Sequence, residues 1–383
     1  NPALLVLTLC TLGMWAASAS MHLSLRVVLP HSSTRVWLAA LYGLSPIVVE
    51  SAVMGNVAVV LCAIAFPALV VLAGRALESW RAAAGAAVLA SILCATWPAT
   101  WLLILAAILF YAFKVRPPRA VLTRLVSIFV WSFTLLLPWS LHIALHPGAW
   151  FGQFEAANVR PASAWMALFG KGAPDSPQPW WWAAGLVIVA TASLADSRNN
   201  RLSQQAWRVI RVSLVLAFIA QLTMSYVPFA TGKLRLDVPA LAISAALLLC
   251  LASSAATVRV RLNRTAFGWR QLGTAVAVVA VSALPVSGLV MNIWQRADTD
   301  RLHRVPEFSS ATLRGYTEPL NLRTLLLSTT DEGLVAADVL DQRPLTFGDA
   351  EVVASSAQPE VAEAVATWLT GSVLDQQNPL VNL

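Results

Sequence analysis

The chain is punctuated by apolar runs with few charges, each near the roughly 20 residues a helix needs to cross the hydrocarbon core of a bilayer. They fall at 2–20, 36–54, 56–74, 82–97, 99–113, 122–141, 180–195, 209–229, 238–257 and 272–294. None alternates with the period of a barrel strand, and backbone amides in lipid must bond within their own segment, so the runs are predicted to be helices. Composition agrees: 58% of the 383 residues are hydrophobic and 12% are charged, against about half and a quarter in soluble chains. The predicted fold class is mainly α. A polytopic transmembrane bundle of about ten helices occupies residues 1–294, and a small α/β domain occupies 295–383.

Charge divides at the same boundary. Before residue 295 there are 20 Lys and Arg against 6 Asp and Glu, and from there on 6 against 13. The basic excess sits in short loops between apolar runs, where it sets orientation and offers no footing for nucleic acid. Arg75 and Arg81 precede the fourth run, and Lys114, Arg116, Arg119 and Arg124 follow the fifth. Both ends are therefore expected inside, with two crossings between them. The turn W-P-A-T from Trp97 separates those crossings, because Pro98 disfavours helical geometry in the residue before it. Pro46 interrupts the second run. The same rule puts Arg198, Arg201, Arg208 and Arg211 inside, and likewise Arg259, Arg261, Arg264 and Arg270. Alternation then places Asn1, the loop 142–179 and the tail from Gln295 outside. The expected location is the plasma membrane, multi-pass, with the C-terminal domain extracytoplasmic.

Chemistry-bearing residues are sparse. Cys10, Cys62, Cys94 and Cys250 lie inside apolar runs without CxxC spacing and read as small buried hydrophobes. The cluster Trp180, Trp181 and Trp182 reads as an interfacial aromatic belt in preference to a sugar-stacking platform. His142 and His146 are spaced i, i+4 without the Glu of a zinc-binding HExxH, and read as interfacial histidines. Glu50 is the one carboxylate deep in an N-terminal run, and an intramembrane ionisable group is a functional candidate by default. It is expected about four residues from the outer end of its helix, within reach of water. Lys233 and Arg235, with Asp237 beside them, lie at an outer helix junction where two cations can grip a lipid phosphate. The inner Arg clusters offer the same chemistry to an anionic headgroup or a polyprenyl phosphate.

Absences narrow the function. No phosphate-binding G-x-x-x-x-G-K-[ST] loop and no G-x-G-x-x-G after a strand occurs, which removes support for a transport ATPase or a dinucleotide enzyme. Residues 1–294 contain no D-x-D acidic pair; Asp298 and Asp300 form one only at the start of the tail. In that tail Arg323–Ser328 and Leu334–Leu340 read as strands about a D-E-G turn, and Pro359–Leu369 as an amphipathic helix. So small a sheet is expected to continue past Leu383, and an apolar start without a basic leader is expected of a piece of a longer chain.

Several segments resemble a family of large actinobacterial multi-pass membrane proteins identified as family 2 glycosyltransferases. They are R-V-W-L-A-A-L-Y-G-L-S-P from Arg35, L-L-L-P-W-S-L-H from Leu135, P-W-W-W-A-A-G-L from Pro179, F-G-W-R-Q from Phe267, R-T-L-L-L from Arg323 and R-P-L-T-F-G-D-A-E-V from Arg343. The resemblance implies a cytoplasmic nucleotide-sugar domain upstream of Asn1, so its catalytic residues have no counterparts here. Nucleotide sugar and divalent metal belong to that domain, and no cofactor or metal is expected in this chain. Three functions stay open: the membrane region of a cell-envelope glycosyltransferase that positions a lipid-linked or glycan acceptor; a membrane transferase using a polyprenyl-phosphate sugar at the outer face; and a transporter or flippase of lipid-linked glycan. Membrane lipid and a polyprenyl phosphate or lipid-linked glycan are the expected partners.

Overall fold

The computed structural model describes residues 2–145 apart from 28, 30–31 and 54, then 152–153, 164–169, 201–226, 233–234, 236–262, the strands 324–329 and 335–340, and single positions at 187 and between 269 and 294. These residues are mainly helical. In chain order the helices are α1 (Pro2–Leu25), α2 (Ser32–Gly43), α3 (Pro46–Val53), α4 (Val57–Arg75), α5 (Trp80–Thr96), α6 (Thr100–Val115), α7 (Arg119–Leu135), α8 (Trp139–Leu145), α9 (Arg201–Tyr226) and α10 (Asp237–Leu262). Ala164–Phe169 forms a 3-10 turn.

Prolines and caps set the breaks. Pro46 opens α3, where its missing N–H is not needed, and the axis bends by 47° from α2 to α3. Trp97, held extended at φ −140° ahead of Pro98, ends α5. Arg116 stops α6 in the left-handed region at φ 49°, and Pro117 and Pro118 follow. At Pro138 the chain turns through 101° from α7 into α8. The Asn56 side chain accepts a hydrogen bond from the Val59 amide at 3.2 Å and starts α4.

Helix α1 lies against α2, α3 and α4, α4 against α5, and α5 against α7. Helix α10 touches α2, α3, α4 and α9. Every residue from Asp237 to Ala252 is buried apart from Leu249, so α10 is the inner post of the bundle. The outer faces are apolar as well. Leu4, Leu12 and Trp15 on α1, Leu109 and Phe113 on α6, Trp131 on α7 and Val212 and Phe218 on α9 are all exposed. A helix that is hydrophobic on every side has protein on one face and an apolar solvent on the other.

The count of ten crossings needs correction. Among the described residues two helices, Leu4–Leu25 and Val57–Arg75, are long and apolar enough to cross a membrane, or four if each bent pair is one span. Helices α5, α6 and the segment Asp237–Ala252 are apolar but shorter. An uncharged run records where charge is missing, whereas helix length is cut by turns such as Trp97–Ala99. The run 180–195 and much of 272–294 lie outside the described residues. One inference from charge does find a structural counterpart. The Arg124 guanidinium at the start of α7 donates to the carbonyls of Leu77 (2.6 Å) and Ala76 (3.5 Å), which brings the α4–α5 and α6–α7 turns to one end of the bundle.

In the tail, Thr324–Thr329 (β3) pairs antiparallel with Val335–Leu340 (β4), Thr329 opposite Val335. The helix expected over Pro359–Leu369 lies outside the described residues. A second, two-residue ladder pairs Gly152–Gln153 (β1) with Lys233–Leu234 (β2).

Pro67 stands inside α4 and lacks the N–H that would reach the Ala63 carbonyl. The Tyr42 hydroxyl donates to that carbonyl at 3.0 Å from α2, and the Ser20 hydroxyl donates to the next one, Ile64, at 2.7 Å from α1. Tyr42→Phe should therefore destabilise the bundle by about 1 to 2 kcal/mol. In a Pro67→Ala background, where the amide is restored, the same change should cost markedly less. Unfolding of the four variants in detergent micelles measures the coupling, and equal costs in both backgrounds would refute the pairing.

Candidate functional site

A polar group inside an apolar bundle must find a partner or carry a desolvation cost, so the buried polar side chains are few and informative. Among the described residues, three of the ten, Ser45, Glu50 and Ser51, lie where α2 breaks into α3. Ser45 occupies the break and is fully buried; its carbonyl accepts from the amides of Val48 and Val49 at 3.1 Å, and its hydroxyl has no hydrogen-bond partner. Ser51 donates to the Ile47 carbonyl at 2.7 Å. Between them on α3, Glu50 is 5% exposed. The expectation that Glu50 reaches water at the end of its helix is not met, because α3 is packed against α1, α4 and α10 and the side chain is buried.

Asp237 opens α10 and is 2% exposed. A carboxylate in a first turn suits the positive end of the helix dipole. It belongs to the interior, not to an open junction as the sequence implies. It lies within electrostatic reach of Cys62 on α4, whose thiol donates to the Thr96 hydroxyl of α5 at 2.9 Å; Thr96 in turn donates to the Ile92 carbonyl at 3.1 Å. Two carboxylates, three hydroxyls and a thiol thus gather at the end of the bundle formed by the C-terminus of α3 and the N-termini of α4 and α10. Such a set can accept hydrogen bonds from a hydroxyl-rich ligand.

The other expected residues do not join it. Lys233 lies on β2 with its backbone opposite Gln153, and Arg235 is outside the described residues. His142 is on α8, with an exposed side chain, and His146 is outside the described residues. All four cysteines are buried free thiols, as their surroundings in sequence imply. Among the described residues no group of three or more His, Cys, Asp or Glu is placed to hold a metal ion. Sequence reasoning overlooks Ser45, Ser51 and the Cys62–Thr96 pair. The G-L-S-P stretch that breaks the helix is the one signal that points to them.

Because the Ser45 hydroxyl is buried without a partner, Ser45→Ala should leave stability unchanged or raise it by up to about 1 kcal/mol. A loss of stability on thermal unfolding in detergent would show that the hydroxyl is engaged.

Compared with protein-family models, curated proteins and solved structures, the chain matches none of them.

Proposed function

We propose that this chain is the membrane region of a cell-envelope glycosyltransferase, and that it positions a lipid-linked or glycan acceptor for sugar transfer. The supporting observation is the polar set at the α2–α3 break, where Glu50, Ser45 and Ser51 are buried inside an apolar bundle whose inner helix opens on the buried Asp237. Interrupted helices are where membrane proteins tolerate irregular backbone, because it lines a site. Carboxylates and hydroxyls there supply acceptors for sugar hydroxyls that lipid cannot satisfy. Two of the segments that carry the family resemblance contain the two bends: Arg35–Pro46 ends at the α2–α3 break, and Leu135–His142 contains the α7–α8 turn.

On this reading the nucleotide-sugar chemistry belongs to a domain outside these 383 residues, together with its metal and donor. The chain lies in the plasma membrane with its basic turns inside and the tail from Gln295 outside. The burial of Glu50 favours one second reading, a membrane transferase acting on a polyprenyl-phosphate sugar with this carboxylate as its base.

Two experiments test the proposal. The purified chain, given nucleotide sugars and membrane lipid, should transfer no sugar, while turnover with a polyprenyl-phosphate sugar that is lost in Glu50→Gln would select the second reading. Topology is checked by membrane-impermeant thiol labelling of intact cells. A Cys introduced at Ser355 should label and one at Ser203 should stay silent; the reverse pattern would reject the orientation.

A further inference from the structure

Charge in helices α4 to α7 is confined to one end. Between Val57 and Leu135 the cations are Arg75, Arg81, Lys114, Arg116, Arg119 and Arg124, and Glu78 is the single carboxylate. All lie in or beside the α4–α5 and α6–α7 turns. Arg124 joins those turns. Its Nε donates to the Ala120 carbonyl of its own helix at 3.0 Å, and its guanidinium reaches across to Leu77 and Ala76, whose carbonyls follow the end of α4. The carbonyl end of a helix suits a cation. While Arg124 is engaged in this way, the other five cations are exposed. Pro117 and Pro118 stiffen the link between Arg116 and Arg119.

Apolar surface begins where the cations stop. Trp80 and Phe113 are exposed beside Arg81 and Lys114, and the Lys114 ammonium stands 5.3 Å from the centre of the exposed Phe110 ring. Leu102, Leu105, Leu109 and Phe113 form an exposed stripe along α6 at helical spacing, running up to Lys114. This sequence of aliphatic stripe, aromatic rings and cations matches the passage from lipid tails to lipid phosphates. A soluble anion or an acidic protein would leave the stripe unanswered. A zwitterionic lipid would leave the charge unanswered.

We propose that the two joined turns are a binding surface for anionic phospholipids of the surrounding bilayer, whose phosphate headgroups lie on Arg75, Arg81, Lys114, Arg116 and Arg119 and whose acyl chains lie on the exposed face of α6. Five exposed cations on two turns exceed what one monophosphate neutralises, which favours the headgroups of a bilayer over a single lipid-linked phosphate. Positive loops also set orientation, but orientation requires only that the charge be present. A binding surface requires the two turns to be held together, as Arg124 holds them. The assignment needs only a bilayer around the helices and stands apart from the reading of the chain as part of a glycosyltransferase.

Native mass spectrometry of the purified chain in detergent tests it, with phosphatidylglycerol and phosphatidylcholine of the same acyl chains as probes and an excess of inorganic phosphate as competitor. Phosphatidylglycerol should bind about tenfold tighter than phosphatidylcholine, and inorganic phosphate should not displace it. Arg116→Gln with Arg119→Gln should reduce that preference to about threefold or less, while Arg116→Lys with Arg119→Lys should keep most of it. Arg208→Gln with Arg211→Gln removes the same charge from exposed positions on α9 and should leave the preference unchanged. Equal binding of the two lipids by the parent, displacement by inorganic phosphate, or tighter binding of a polyprenyl monophosphate than of phosphatidylglycerol would overturn the proposal. So would equal losses in the two Gln pairs, because net charge and not these turns would then attract the lipid.

Discussion

A backbone carbonyl that loses its amide partner inside an apolar bundle has to be answered by a side chain, and α4 contains such a carbonyl at Ala63 because Pro67 has no N–H to give it. The Tyr42 hydroxyl supplies the donor, and Ser20 supplies one to Ile64 beside it. These two bonds tie α2 and α1 to the middle of α4. They constrain the rotation of all three helices, and Gly43 lies against Ser18 where α2 meets α1. Elsewhere the hydroxyls of Thr8, Thr11 and Ser51 return to carbonyls of their own helix, and so satisfy themselves without joining neighbours.

The bundle has two chemically distinct ends. At one, the turns carry Arg26, Arg75, Arg81 and Arg116, with Arg124 laid across the Leu77 carbonyl. At the other, Glu50 and Asp237 are buried among hydroxyls. Between them the interior is apolar and aromatic. Trp101 donates to the Ser132 hydroxyl at 3.2 Å and stands 5.3 Å from the Phe133 ring and 5.8 Å from Trp139, joining α6, α7 and α8. The polarity of the molecule therefore runs along the helices, as expected of a protein whose middle lies in hydrocarbon and whose ends do not.

The sequence reveals its breaks more readily than its contacts. Pro46 and Pro98 mark turns because proline acts on its own backbone and that of the residue before it, a local effect, whereas Pro138 lies inside the run 122–141 read as one crossing and is found at a 101° turn. The strands predicted at Arg323–Ser328 and Leu334–Leu340 are found at Thr324–Thr329 and Val335–Leu340 for the same reason. The burial of Glu50 and Asp237 is not local. It follows from packing between helices, α3 against α1, α4 and α10, and α10 against α2, α3, α4 and α9. Helix length fails similarly: a run without charge from Ala82 to Phe113 gives no measure of how much is lost to the turn at Trp97–Ala99.

In chain order the inner post of this bundle follows the nine other helices described above. Helix α10 packs against α2, α3, α4 and α9, yet the ribosome delivers it long after the first three. At about 5–20 residues per second, the faces that receive α10 wait many seconds for it. The order of synthesis and the order of burial run against each other.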